Sequence, residues 1–445
     1  MTATREERRQ RGRVCRNKVK RVDQANWDPN ARKDDVVDLL RGAQRGRLPA
    51  LLPIKWNHMA ASPFGFFRGA VPLIAADLAP LPTTGLMAQL CGDAHVQNLG
   101  AFEAPDGRLI FDINDFDETI VGPWEWDVKR MAASLVLAGR EAGNSDKQCR
   151  DAVLTFARCY RVWMHRFSEM AFVELARFQV YREVDPVRSV LHKAERATPS
   201  HNLDQLTVLQ AGRHVFRDQK PTQYHISKRE ADAAVASLQS YAHTLLPERA
   251  HFFEQYEVED VAFRVVGTGS VGLRDYILLM FGGAIYDPLF IQIKEEHGSA
   301  YASYLPHSPV AKHEGQRVAE GGRAMQMQSD IFLGWTTIAG RQYVVRQLRD
   351  HKAGIEEDDL KGKGLVEYAQ MCGELLSKGH ARSGDPCAIA AYLGNNTRFD
   401  DAMAAFGIHY ANQTVKDWEE LRRAIRAGKV HAEGYSPLAK RARHK

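Results

Sequence analysis

The chain has 445 residues, 44% of them hydrophobic and 26% charged; this is a globular composition and longer than one core usually grows, so two lobes are expected. The net charge of +5 sits at the ends: the first 21 residues carry +7 and the closing "KRARHK" +4, which leaves −6 on the body and argues against nucleic acid as a partner beyond weak contact by the basic ends. Six scattered cysteines without CxxC spacing exclude a zinc site or a disulfide framework, and no apolar run reaches the ~18 residues of a membrane span or forms a secretory signal, so a cytoplasmic protein without a membrane partner is expected.

In chain order, residues 1–30 read as a basic flexible arm. Residues 31–250 read as a helical lobe. In it "DDVVDLLRGAQRG" has helical spacing, and "SPFGFFRGAV" reads as a loop because of Pro63, Gly65 and Gly69. "GLMAQLCGD" and "RLIFDIND" read as two short strands around a turn at "APDG", and 127–180 and 228–247 as helices. Residues 185–225 give no clear pattern. Residues 258–350 read as a small antiparallel β-lobe: strand, Gly-rich turn, strand, the strand "DPLFIQIKEE", a helix weakened by Gly321 and Gly322, and two strands joined at "AGR". Helices over 360–435 complete the helical lobe, and 436–445 form a basic tail. The expected class is α+β.

"GTGSVGLR" (267–274) places Gly267, Gly269 and Gly272 in a GxGxxG pattern with Ser270 between them. A strand follows it, where a dinucleotide-binding turn would open a helix. Strand, glycines, strand is the order in which such a loop covers nucleotide phosphates with its backbone N–H groups. An ordinary glycine hairpin has the same local pattern. Lys294 ends the apolar strand "LFIQIKEE", where a phosphate-gripping lysine would stand. Glu314 and Glu320 on the next helix are its possible ion-pair partners. Glu320 is favoured because Val318, Ala319 and Met325 give that helix a buried side. A solvent-exposed lysine and surface glutamates remain the plain alternative.

"GDAHVQN" sets Asp93 and Asn98 five residues apart, and "LIFDINDFDET" adds Asp112, Asp115, Asp117 and Glu118. Carboxylates that dense call for a positive partner. In phosphoryl transfer a loop Asp orients and deprotonates the acceptor hydroxyl, while an Asn five residues on and an Asp after the next strand hold Mg²⁺. Asp93 takes the first role, with His95 beside it, and Asn98 and Asp115 the second. Asp117 assists at a second metal or orders the acceptor. ATP and Mg²⁺ are therefore the expected cofactors. Arg346, in "VVRQLRDHK" (344–352), belongs to the strand that would run into a hinge where the adenine stacks.

These residues resemble the "HGDxHxxN…IDFxD…GDPxxD" pattern of aminoglycoside phosphotransferases and other small-molecule kinases of the protein-kinase-like fold. Gly92, Asp93, His95, Asn98, Asp115, Phe116, Gly122, Pro123 and Asp127 fall in step, with Cys91 where the pattern has its first His. The resemblance implies that Asp127 braces the catalytic loop. Asp93 precedes Gly267, the reverse of the kinase order, so the implied fold is circularly permuted. Over nearly its full length the chain is also similar to a bacterial family of uncharacterised proteins, domain of unknown function 2252. The segments that carry this likeness include "SPFGFFRGA", "NDFDET", "EGGRAMQMQSDIFLGW" and "HARSGDP".

His380, Arg382 and Asp385 of "HARSGDP" read as phosphate or acceptor contacts or as a helix cap, and Arg68 as an interior arginine paired with a loop carboxylate. Three other functions stay open. A pseudokinase would bind the nucleotide without transfer. A nucleotidyl transferase would use the same metal and lysine positions. A metal-dependent phosphohydrolase would use "GDAH", although Val96 stands where its motif has Gly. The acceptor leaves no signature; the missing APE-type segment favours a small molecule.

Overall fold

A computed structural model describes residues 3–180, 184–196, 199–265, 267–283, 287–348 and 353–433. The hinge positions 349–352 and the expected tail 436–445 lie outside the described residues. The architecture is α+β, a large helical lobe and a smaller sheet facing each other across a cleft. Among the described residues, no helix is long and apolar enough to cross a membrane.

The large lobe is built on the helices Glu125–Glu141, Asp146–Glu169, Lys363–Ser383 and Arg398–Arg426. Cys149, Ala152, Val153, Phe156, Tyr160, Met164 and Phe167 recur at three- and four-residue spacing, which gives Asp146–Glu169 one continuous buried face. Gly373 lets Lys363–Ser383 lie directly against it, since a Cβ there would stand 2.5 Å from the Phe156 carbonyl oxygen.

Two small ladders sit on this helical base. Met87–Leu90 pairs with Ile120–Pro123, and Leu99–Glu103 with Leu109–Ile113 around the "APDG" turn. The sequence reading paired "GLMAQLCGD" with "RLIFDIND". In the structure Leu99–Glu103 takes the hairpin, because residues 96–98 close a short 3₁₀ turn that starts a new strand.

The small lobe is a six-stranded antiparallel sheet. Its strands run, in spatial order, Gly334–Ile338, Arg341–Gln347, Pro288–Glu295, Asp275–Phe281, Glu257–Arg264 and Gln223–His225. The helix Glu314–Met325 joins the lysine strand Pro288–Glu295 to the edge strand Gly334–Ile338. Strand alternation divides the sheet by face. Leu289, Ile291, Ile293, Tyr276, Leu278 and Met280 build one core. Asp275, Gln292 and Lys294 lie on the other face, which Ile277, Leu279 and Phe290 share, with Lys294 at its end reaching Asp117.

Three expectations change. Residues 1–30 are not a free arm: Arg5–Lys18 is a helix with a Thr4–Glu7 capping box, packed on Pro386–Leu393. Gly12 makes that contact, since a Cβ there would stand 2.0 Å from the Ala388 carbonyl oxygen, and buried Arg21 donates to the Leu393 carbonyl at 2.6 Å. Residues 63–69 are helix, not loop, with Ser62 accepting the Gly65 N–H at 3.0 Å and Pro63 in the first turn, where a proline costs nothing. The small lobe also starts well before 258. Gln223–His225 pairs with Glu257–Arg264, Ala234, Leu238 and Tyr241 enter its core, and Phe216 with Leu203 and Leu206 covers Ala262, Ile277 and Phe290.

Candidate functional site

The loop after Met87–Leu90 is fixed from below. Asp127, in the first turn of Glu125–Glu141, accepts the backbone N–H of Cys91 at 2.8 Å and of Gly92 at 3.1 Å. Gly92 has φ +81°, and a Cβ would stand 2.1 Å from the Glu118 carbonyl oxygen, so only glycine brings the two acid loops together here. The Tyr301 hydroxyl donates to the Gly92 carbonyl at 2.8 Å.

Asp93 then faces the cleft with one oxygen engaged. Its Oδ1 accepts from Arg130 Nε at 2.9 Å and from Nη2, while Arg130 also donates to the Phe67 carbonyl at 3.0 Å and lies over the Phe67 ring at 4.2 Å. Burial pushes the Asp93 carboxyl up, but the charges of Arg130 and Arg68 outweigh it and hold the group below its ordinary range. Burial holds the His95 pKa down to about 3, so this imidazole is neutral. His95 Nδ1 accepts the Gln97 N–H at 3.1 Å, which leaves the proton on Nε2, 3.6 Å from Asp93 Oδ2. Asn98 Nδ2 donates to the Asp93 carbonyl at 2.8 Å and ties its side chain to the same loop.

The second acid loop meets the small lobe. Asp117 accepts from Lys294 and, at 3.2 Å, from the Ser270 hydroxyl of the Gly-rich loop; its own N–H donates to Asp115 Oδ1 at 3.3 Å. Burial opposes both charges of the Lys294–Asp117 pair, yet their mutual attraction leaves the lysine above and the aspartate below the ordinary value.

The expected Lys294–Glu320 pair is therefore replaced by Lys294–Asp117. Glu320 is exposed and accepts from Gln316 Nε2 at 2.7 Å. Helix geometry gives the reason. Gly321 and Gly322 are the residues that touch the acid loop, with a Cβ on Gly321 only 2.4 Å from Thr119 Oγ1. Arg317, four residues earlier on that face, donates to the carbonyls of Thr119 (2.6 Å), Asp117 (2.9 Å) and His297 (2.8 Å), while Glu320 points away.

The Gly-rich loop turns at Gly267 (φ +68°) and Gly272 (φ +95°). It is gripped by its carbonyls. Lys55 Nζ donates to Thr268 at 3.2 Å and Gly269 at 2.7 Å, Arg47 Nη1 to Gly269 and Val271, each at 2.8 Å, and the Leu48 N–H to Gly272 at 2.7 Å. Burial, then Arg47, pushes the Lys55 pKa well down. Neither cation has a sequence signature, because a backbone carbonyl accepts from any donor the fold brings to it.

One cavity of about 930 Å³ collects these groups: Gly267, Gly269 and Ser270 from the small lobe, and Asp93, His95, Asn98, Asp115 and Asp117 from the large one. Gly272, Lys294, Glu320 and Arg346 are not in its wall. Arg346 donates instead to Gln292 Oε1 at 2.8 Å across the sheet. The cavity adds Glu296, which the sequence reading passed over. It is 4% exposed, its Oε1 has no hydrogen-bond partner, and burial, then Asp117, pushes its pKa well up.

The "HARSGDP" residues are structural. His380 meets Asp127 Oδ2 at 3.2 Å and the Tyr160 hydroxyl at 2.8 Å, Arg382 donates to the Ala176 carbonyl at 2.7 Å, and Asp385 caps Pro386–Leu393.

Among the described residues, no three His, Cys, Asp or Glu side chains converge into a preformed metal cage. The possible ligands around the cavity are nonetheless mostly hard oxygens, with His95 and His297 the exceptions, and one oxygen, Glu296 Oε1, is orphaned. That fits Mg²⁺, which is held by one or two carboxylates together with substrate phosphates.

Fold and site define a two-lobed α+β protein with an oxygen-rich cleft between a helical lobe and an antiparallel sheet. The chain belongs to the bacterial family described as "Uncharacterized protein conserved in bacteria (DUF2252)", whose model matches residues 47–424 and so includes the whole cleft from Arg47 onward. No curated protein and no solved structure matches the chain.

Proposed function

We propose that the protein is an ATP- and Mg²⁺-dependent phosphotransferase, on a circularly permuted kinase-like fold, acting on a hydroxyl of a small-molecule acceptor. One observation carries this reading: a single cavity gathers Gly267–Ser270 with Asp93, Asn98, Asp115 and Asp117, although 174 residues separate Asp93 from Gly267. The strand order supports it. A glycine loop between the first two long strands, a lysine on the third and a helix before the fourth is the arrangement a kinase small lobe requires.

Asp93, kept ionised by Arg130, orients the acceptor hydroxyl with its second oxygen; a loose transition state needs position more than base strength. The loop N–H groups would hold phosphate oxygens, and Lys294, outside the cavity wall and paired with Asp117, would join them only on leaving that pair. Asn98 and Asp115 would hold Mg²⁺, which when bound offsets phosphate charge.

Thermal unfolding with ATP, with and without Mg²⁺, tests the site. A ligand at 100 times its Kd stabilises by ~2.7 kcal/mol, a shift of several degrees. The expected result is a Mg²⁺-dependent rise that Asp115→Ala loses and Asp93→Ala keeps, while Asp93→Ala releases no ADP with any acceptor. No shift with any nucleotide overturns the proposal. The closed Asp93–Arg130 pair favours one second reading, nucleotide binding without transfer. A wild-type shift without ADP release in acceptor screens would select it.

A further inference from the structure

Most cations around the cleft, buried or half-buried, are engaged. Arg47 and Lys55 hold loop carbonyls, Arg130 holds Asp93, Lys294 holds Asp117, and Arg317 holds three carbonyls. Arg68 is not. It lines the cavity, makes neither a hydrogen bond nor an ion pair among the described residues, and its Nε is buried without a partner. The element carrying it is rigid: Phe66 and Phe67 beside it are core residues, and the Phe64 N–H donates to Glu141 at 2.8 Å. Asp93 and Asp115 both support its charge against burial, yet neither bridges to it. The expected pairing with a loop carboxylate is thus not made, because Arg130 already occupies Asp93.

Arg68 is half-buried in the cavity wall, and its buried, unsatisfied Nε–H is costly unless an anion completes it; its planar fork suits phosphate oxygens. We infer that Arg68 binds the phosphoryl group in transit, holding its outer oxygens between the acceptor side at Asp93 and the nucleotide side at Asp115. This rests on the phosphotransferase reading. In the step, the acceptor oxygen bonds to the γ-phosphorus as the bond to the β,γ-bridging oxygen breaks. The hydroxyl proton passes through Asp93 to water, ADP departs, and Arg68 keeps its proton throughout. Charge spreads over the outer oxygens in such a transition state, which is where a fixed arginine acts.

Calorimetric titration of wild type, Arg68→Gln and Arg68→Lys with Mg²⁺-ADP and with Mg²⁺-bound β,γ-imido ATP tests the inference. The expected result is an about tenfold or greater loss of affinity for the imido analogue in Arg68→Gln, unchanged ADP affinity, and partial retention in Arg68→Lys. Ligand-free Arg68→Gln should melt no lower than wild type, because no partner is lost. Equal effects on both nucleotides, no effect on either, or a lowered ligand-free Tm overturns the inference and leaves the nucleotide site standing. Failure of wild type to bind either nucleotide overturns the phosphotransferase reading and the inference with it.

Discussion

Asp275 shows how one buried side chain of the small sheet carries a pH signature. It lies opposite Lys294 in the strand register, accepts from Gln292 Nε2 at 2.7 Å through one oxygen, and has no partner for the other. Burial, only partly offset by Lys294 and Arg346, pushes its pKa up to about 6. An unfolded Asp titrates near ~3.9, so between about pH 4 and 6 the unfolded chain releases this proton while the folded one keeps it. Stability therefore falls across that window, by about 3 kcal/mol, and is level above it. Asp275→Asn keeps an acceptor for Gln292 and removes the titration. Urea unfolding should find the variant close to wild type below pH 4 and more stable by about that amount at pH 7. A difference that stays constant with pH would show that Asp275 is not the group titrating.

The helix Glu314–Met325 shows what a sequence can and cannot disclose about an element. Its glycines read as weakness, but in the fold they are the contact surface, with Thr119 against Gly321 and Phe116 against Gly322. Gly321→Ala should push the helix off the acid loop and loosen the three Arg317 bonds, at a cost of about 1–3 kcal/mol in chemical denaturation. Gly269→Ala, with open space around its Cβ, should leave stability within about 0.5 kcal/mol. Equal costs would refute the close-approach account. The strand Pro288–Glu295 was legible because its residues before Lys294 are apolar except Gln292. The acid loops were legible because charge was concentrated where apolar strands end. The Pro63–Gly69 and Arg5–Lys18 helices were not. The first looks like a loop by its Pro and Gly content, and the second is mostly charged and is held by a close glycine contact, a cap and arginine contacts to Met170, Phe172 and Asp385, none of which a local pattern discloses. The early start of the small lobe rests on a three-residue strand, too short for any periodicity. Partners in space stayed hidden throughout: Arg130 for Asp93, Asp117 for Lys294, and Lys55 and Arg47 for the glycine loop.

At the scale of the molecule, two apolar cores face each other, one centred in each lobe, and the larger also takes in Val318, Ala319, Met325 and Val344 from the small lobe. Polar links cross the cleft between them. The acid loop of the large lobe receives Lys294, Ser270 and Arg317 from the small one, and residues 47–55 return the grip on the glycine loop. The order of these pieces along the chain is immaterial to the site, which needs only their meeting. The Lys294 side chain is 3% exposed and that of Asp117 23%, so Lys294→Met leaves a half-buried Asp117 charged and without its cation, which is destabilising. Asp117→Asn in the same chain removes the stranded charge. Native-state hydrogen exchange separates a link between lobes from a local contact. Lys294→Met should lower protection of Asp275–Phe281 and Pro288–Glu295 by about tenfold or more while Asp146–Glu169 and Lys363–Ser383 stay as in wild type. The double variant should recover most of that protection. Loss spread evenly over both lobes would mean that the cleft does not divide the molecule into separately opening units. Failure of the double variant to recover would mean that the lysine stabilises its own strand and the ion pair adds nothing.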